Sequence, residues 1–258
     1  MYLPEVIPSS MAAGQDTREC DRFRWIRGRK WLVASILLAS CLMRAGGSAA
    51  VAEDATGTVR GTVRYVTDPS RPWRLGRYYI RRAQTGELAE AVVALQSRGL
   101  RDPNGHRDPV TVTVDQKNFQ FVPETSVIHV GDQVRFLNSG DHAHNVKTSH
   151  ARHSFNVTMP VDGEHYERFN VATGTRDPFV IDCVFHASMK AWIFVFEHPW
   201  FALTGENGVF ELTDVPPGEY RLEVVHPAGG LRSSETIQVA AGQTTEVSIP
   251  LRPSQPIQ

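Results

Sequence analysis

The chain of 258 residues has few cysteines, only three. That excludes a scaffold built on disulfides, which needs several bridges to stand in for a core. It also lacks an excess of either charge. Its 27 Lys+Arg and 28 Asp+Glu leave a formal net charge of −1, so the strongly basic footprint of a general nucleic-acid binder is missing. Gly 20 and Pro 16 are ordinary shares, which sets aside collagenous and low-complexity chains. Beyond residue 53 no segment sustains apolar residues at helical spacing over ten or more positions. Histidine, by contrast, is plentiful at ten residues, and its placement beside cysteine carries the functional reading.

The first fifty residues read as an address. Arg22, Arg24, Arg27, Arg29 and Lys30 make a basic stretch, followed by an apolar run over residues 31–43. That run is too short to cross a bilayer as a helix and suits a signal-peptide core. Ala50-Val51-Ala52 then supplies an A-x-A cleavage site before Glu53. Residues 1–52 are therefore expected to be a leader that directs the chain to the periplasm, with Met11 as an alternative start. Gly28 separates Arg27 from Arg29, so a twin-arginine address is not supported. The rival readings are a lipoprotein box at Leu38-Ala39-Ser40-Cys41, anchoring the chain to the membrane through a lipidated Cys41, and a buried helix of a cytosolic protein.

Cleavage after Ala52 removes seven basic and four acidic residues, leaving 20 and 24 and a net charge of −4. It also removes Cys20 and Cys41, so Cys183 is the one thiol left. A lone thiol in an oxidising compartment is a liability unless it is buried or has a task.

The remaining chain reads as all-β. Val110, Val112 and Val114 alternate, as do Val134 and Phe136, while residues 191–196 are apolar on both faces like a central strand. Tyr220, Leu222 and Val224 alternate with Arg221 and Glu223, and Val247, Ile249 and Leu251 close the series. Gly131-Asp132, Ser139-Gly140-Asp141, Asn207-Gly208 and Pro216-Pro217-Gly218 mark turns between them. Short strands at this spacing predict β-sandwiches or barrels.

Around the lone thiol the chain runs Cys183-Val184-Phe185-His186-Ala187-Ser188-Met189, which is C-x2-H-x2-M. A thiolate, an imidazole and a thioether within seven residues suit copper, and a His2Cys set with a weak axial Met is the blue-copper arrangement. The second His should come from a distant strand edge. The candidate is His144, in His144-Asn145-Val146 after Val134-Arg135-Phe136-Leu137-Asn138.

These residues resemble the cupredoxins, small Greek-key blue-copper sandwiches, and especially the amicyanin- and plastocyanin-like members. Val134 to Val146 matches the family's V-x-F-x-N strand, loop and H-N-V. Phe119-Gln120-Phe121-Val122-Pro123 with Val130-Gly131-Asp132 is similar to the strand pair that precedes it. The resemblance covers residues 108–197 and implies one type 1 copper ion, with His144, Cys183 and His186 equatorial and Met189 axial. It also implies that Asn145 ties the two ligand loops together and that His186 is the electron exit. Phe185 stands where the family often has Pro, which bears on packing near the copper.

A binuclear copper centre would need a second loop cysteine, and a multicopper oxidase several His-x-His pairs, of which His142-Ala143-His144 is the one present. Catalytic turnover is therefore not expected. His142, His150 and His153 lie near His144 and are either polar loop residues or a second metal site. His129, His165, His198 and His226 form no constellation.

Residues 203–225 resemble the carboxypeptidase regulatory-like module, a transthyretin-like sandwich, through Gly208-Val209-Phe210 and Val215-Pro216-Pro217-Gly218-Glu219-Tyr220. Gly61-Thr62-Val63 and Ala91-Val92-Val93-Ala94-Leu95 look like its first strands. The expected order is thus residues 57–107 and 198–252 forming one sandwich, with the cupredoxin of residues 108–197 inserted. Two sandwiches in series is the alternative. Between the first strands, Arg71, Arg74, Arg77, Arg81 and Arg82 alternate with Trp73, Tyr78 and Tyr79. Such a segment either docks an acidic redox partner or is a solvated loop.

The sequence thus predicts an exported electron carrier, serving an unidentified redox partner such as a cytochrome or a dehydrogenase. The competing classes are a copper-delivery protein without redox cycling and a scaffold or binding module with a vestigial metal site.

Overall fold

The computed structural model describes residues 55–71, 80, 84–103, 105 and 107–253. The leader, with Cys41, and all of the arginine–aromatic segment except Arg71 lie outside the described residues. The strands, in chain order, begin with β1 (Gly57–Tyr65), β2 (Val92–Gln96), β3 (Thr111–Lys117), β4 (Gln120–Val122), β5 (Thr125–His129) and β6 (Gln133–Asn138). Then come β7 (His144–His150), β8 (His153–Met159), β9 (Glu164–Arg168), β10 (Phe179–Asp182) and β11 (Lys190–Phe196). The last are β12 (Phe201–Leu203), β13 (Val209–Val215), β14 (Gly218–His226), β15 (Leu231–Val239) and β16 (Thr244–Leu251).

Strands β3 to β11 pair among themselves, in sheets ordered β4-β3-β6-β9 and β5-β11-β10-β7-β8. The period-two pattern sets which side chains enter the core between them. Strand β6 turns Val134, Phe136 and Asn138 inward, β10 turns Phe179 and Ile181, and β11 turns Ala191, Ile193 and Val195. Strand β3 departs from the expected pattern. Val110 precedes the strand and is exposed, so the inward row is Val112, Val114 and Gln116, whose Nε2 donates to the Leu137 carbonyl at 3.2 Å.

The second sandwich is closed by chain segments from both sides of the first. Strand β1 runs antiparallel to β13 and parallel to β16, and β2 lies between β12 and β14 in the order β12-β2-β14-β15. Strands β3 to β11 are therefore inserted into this sandwich rather than preceding it. Gly61 is required in the central strand of its smaller sheet: a Cβ there would stand 2.5 Å from Val247 and 2.9 Å from the Phe210 ring. Tyr220 enters this core and donates its hydroxyl to the Pro216 carbonyl at 2.9 Å, closing the Pro-Pro-Gly turn.

A third apolar layer joins the sandwiches and explains why residues 191–196 are apolar on both faces. From β11, Phe194 and Phe196 point away from their own core and pack with Val92 and Ala94 of β2 and Val225 of β14. Strand β2 is two-faced in the same way, since Val93 and Leu95 fill the second sandwich's core. Polar ties reinforce the seam. Thr175 donates its hydroxyl to the Glu223 carboxylate, Arg176 reaches the same carboxylate at 3.3 Å, and Arg232 donates to the Thr175 carbonyl at 3.0 Å. Burial alone would push the Glu223 carboxyl up, but Thr175, Arg176 and Arg221 together hold it below its ordinary value.

Candidate metal centre

The site is built at one end of the inserted sandwich, where a connection between its two sheets meets a loop of the five-stranded sheet. The first is the connection from β6 to β7. Asn138, buried at the end of β6, donates its side-chain amide to the carbonyls of His142 (2.9 Å), Met159 (3.1 Å) and Pro160 (2.9 Å). Its Oδ1 accepts from the Gly140 amide at 3.2 Å. This one side chain shapes residues 139–143 and delivers His144 as the first residue of β7, 2% exposed.

The second segment is the loop between β10 and β11. It closes on itself, with the Cys183 amide donating to the Met189 carbonyl at 3.3 Å and the Met189 amide to the His186 carbonyl at 3.0 Å. Cys183 and Met189 are both buried in the sandwich core, while His186 is half-buried.

The two segments bring three donors together. His144 Nδ1 and His186 Nδ1 lie 3.1 Å apart, and Cys183 Sγ is 3.7 Å from His186 Nδ1. The donor atoms of His144, Cys183 and His186 all fall within 4.8 Å of one another, the one such group among the described residues. Desolvation, with the nearby His186 and His142 rings, lowers the His144 pKa and keeps the imidazole lone pair available. Two imidazoles and a thiolate, with no carboxylate among them, fit a copper-type donor set better than calcium or magnesium. Met189 is held at the end of the same loop, its side chain in the core cluster that contains Cys183.

Asn145 links the segments. Its Nδ2 donates to Asn156 Oδ1 at 2.6 Å and to the Val157 carbonyl at 3.0 Å, and its Oδ1 accepts from the Val184 amide at 3.4 Å. Among the described residues no other histidine joins that donor group. His150 pairs with Asp177 at 3.1 Å, His153 and His165 each meet Glu167 at 2.9 Å, and His142 is exposed. Phe185 projects to solvent, 53% exposed.

Against known proteins, residues 193–252 match the family model described as carboxypeptidase regulatory-like domain. The matched residues supply the end of β11 and all of β12 to β16. The match begins inside β11, whose hydrogen bonds are made within the inserted sandwich, and it leaves out β1 and β2, which complete the module. No curated protein matches the sequence. Among solved structures, amicyanin from Paracoccus versutus is 19% identical, covering 40% of this chain and 97% of that one at a TM-score of 0.30. A purple cupredoxin from Nitrosopumilus maritimus is 15% identical over 33% of this chain and 99% of that one, at 0.29. The copper-containing nitrite reductase NirK of Thermus scotoductus SA-01 is 22% identical over 35% of this chain, at 0.32, and the match spans 23% of the NirK chain.

Two residues that matter to the site carried no functional assignment from sequence. Asn138 appeared as the end of a strand motif, and its role emerges only when its three carbonyl partners are in place. Phe119 appeared as a strand residue, yet it sits in the β3–β4 turn with its ring 4.9 Å from His186, 5.2 Å from His142 and 5.8 Å from His144.

Proposed function

We propose that the chain is an exported type 1 copper protein that carries electrons, and that His144, Cys183, His186 and Met189 would hold its one copper ion. The observation that carries this reading is the convergence of two imidazole nitrogens and one thiol, already gathered by the fold within 4.8 Å. When bound there, copper supplies a one-electron couple between Cu(II) and Cu(I).

The chain's own residues do the rest. Asn138 and Asn145 fix the two ligand segments by hydrogen bonds to backbone, so the donors have little freedom to rearrange between oxidation states. His144 is enclosed, whereas His186 reaches the surface among exposed Val184, Phe185 and Phe119, which makes its ring edge the exit for the electron. A partner such as a cytochrome or a dehydrogenase would meet that edge, and no substrate turnover is assigned to the chain. Residues 1–52 direct export, with anchoring through Cys41 as the alternative.

The test is the visible spectrum after addition of Cu(II). An intense thiolate-to-copper band, absent from Cys183→Ala, is the expected outcome. Tight copper binding without that band would point to delivery, and no binding would leave a scaffold.

A further inference from the structure

The turn between β3 and β4 contains Asn118 and Phe119, and both adopt the left-handed conformation, with φ of 53° and 57°. Two consecutive residues with positive φ make a two-residue hairpin turn of the kind that strongly favours Asn followed by Gly. The first position holds the favoured Asn. The second holds Phe, a side chain whose Cβ is disfavoured in this conformation. Local stability therefore argues against Phe at this position, and so does solubility, because the ring is 44% exposed. An aromatic held in a disfavoured backbone conformation, half in water, calls for a reason outside the turn.

The ring's contacts provide one. Phe119 meets His186 and His144 edge-on, with interplanar angles of 76° and 86°, and lies tilted against His142 at 41°. It thus spans the two candidate copper-ligating imidazoles on their solvent side. Phe119 also forms a wall of a small cavity of about 120 Å³, bounded by Lys117, Ser139, Gly140, Asp141 and His142, that reaches His144 from outside. Removing the ring would widen that space, already roomy enough for several waters, on the side of His144.

We propose that Phe119 is a positioning residue that closes the metal centre, holding both imidazole rings in the binding orientation and barring the route by which water and competing ligands reach the metal. The inference rests on the copper-site reading and deepens it. Phe119 donates no atom to a metal. It acts through His144 and His186, and the turn accepts an unfavourable side chain so that the ring can be presented there.

The two effects of the ring point in opposite directions, and the experiment uses that. Phe119→Gly relieves the turn and uncovers the site. The metal-free variant is expected to melt at or above the temperature of the unaltered protein, while the copper-loaded variant loses copper to a strong chelator about tenfold faster or more. Its thiolate-to-copper band should also broaden or shift as the imidazoles gain freedom. Phe119→Asn, which tolerates the left-handed backbone, should behave like Phe119→Gly, and it serves where the glycine variant folds poorly. Phe119→Tyr should restore the slow release. Release rates and bands unchanged in both Phe119→Gly and Phe119→Asn would overturn the gate while leaving the copper site standing. Absence of any thiolate band from the unaltered protein would overturn the copper reading and the gate with it.

Discussion

The two sandwiches differ in where their buried polar groups gather. In the inserted one, buried Asn138, His144 and Asn145 cluster at one end, where they shape or form the candidate metal centre, and Cys183 and Met189 belong to the core itself. The module around it has a core of aliphatic and aromatic side chains alone. Its buried polar residues serve connections instead. Thr204 donates to the Leu88 carbonyl at 2.5 Å and accepts from the Ala91 amide at 3.0 Å, pinning the entry to β2, and Glu223 ties the module to the insert. Buried polar groups cost free energy unless satisfied. The insert carries part of that cost where the candidate ligands lie and part, as at Asp132, where the chain must be tied down, which is the use the module makes of Thr204 and Glu223.

The sharpest break in the comparison is Cys183→Ala. The thiolate-to-copper band should vanish entirely, while denaturant titration of the metal-free protein shows a loss of only about 1 kcal/mol. The module and seam should show the reverse. Phe196 is fully buried between the sandwiches and stacks on Phe201 with centroids 4.7 Å apart. Phe196→Ala should cost about 3–5 kcal/mol of stability, read by the same titration, and the folded fraction should retain its copper band. A copper spectrum altered as strongly as the stability would mean that the seam also positions the site.

Acid should act on the seam as well. His198 is buried against Trp200 and Phe196, and desolvation, with His129 nearby, lowers its pKa to about 4. His129 in turn faces Asp102 at 3.9 Å. His226, at the end of β14, is likewise lowered to about 4, chiefly by burial, and lines a cavity of about 420 Å³ with Glu90, Glu124 and Glu206. In the unfolded chain both imidazoles take up a proton near pH 6.5, whereas the folded chain resists until about pH 4. The unfolded state therefore binds more protons across that window, and stability falls as pH drops from about 6.5 to 4, by at most roughly 3 kcal/mol per histidine. His226→Gln should flatten the pH profile of metal-free stability. An unchanged profile would show that His226 takes up its proton equally in the folded and the unfolded chain.

How much of this was legible from sequence follows from the range of each interaction. Period-two alternation is local, so β6, β14 and β16 could be read directly, whereas β8, β9 and β10 were not read from it. The four candidate ligands stood out because three of them lie within seven residues and the fourth follows a strand motif. The insertion was legible as two half-modules, because Gly61-Thr62-Val63 lies far from its partners in β13 and β16. Contacts set by tertiary approach were not legible. Nothing local to Phe194 and Phe196 says that their outer face meets a second sheet rather than a helix or a membrane. Asn118-Phe119 reads as the end of one strand and the start of another until the backbone shows a tight turn. Val110 looked like the first member of an inward row, but strand β3 begins after it and leaves it exposed.

Asn138 gives the finest test, because its three carbonyl partners identify the atom that does the work. The amide Nδ2 donates to His142, Met159 and Pro160, so an isosteric side chain without donors should fail as badly as a truncated one. Asn138→Ala removes a donor from the buried Met159 carbonyl and from those of His142 and Pro160, and should cost about 1–3 kcal/mol. It should also speed copper loss to a chelator, about 10- to 100-fold, as residues 139–143 loosen around His144. Asn138→Asp keeps the shape but turns oxygens toward the three carbonyls, so it should be at least as damaging as Ala in both measurements. Milder behaviour from Asp than from Ala would show that residue 138 fills space rather than donates. The loop that delivers His144 would then have to be held by its backbone alone.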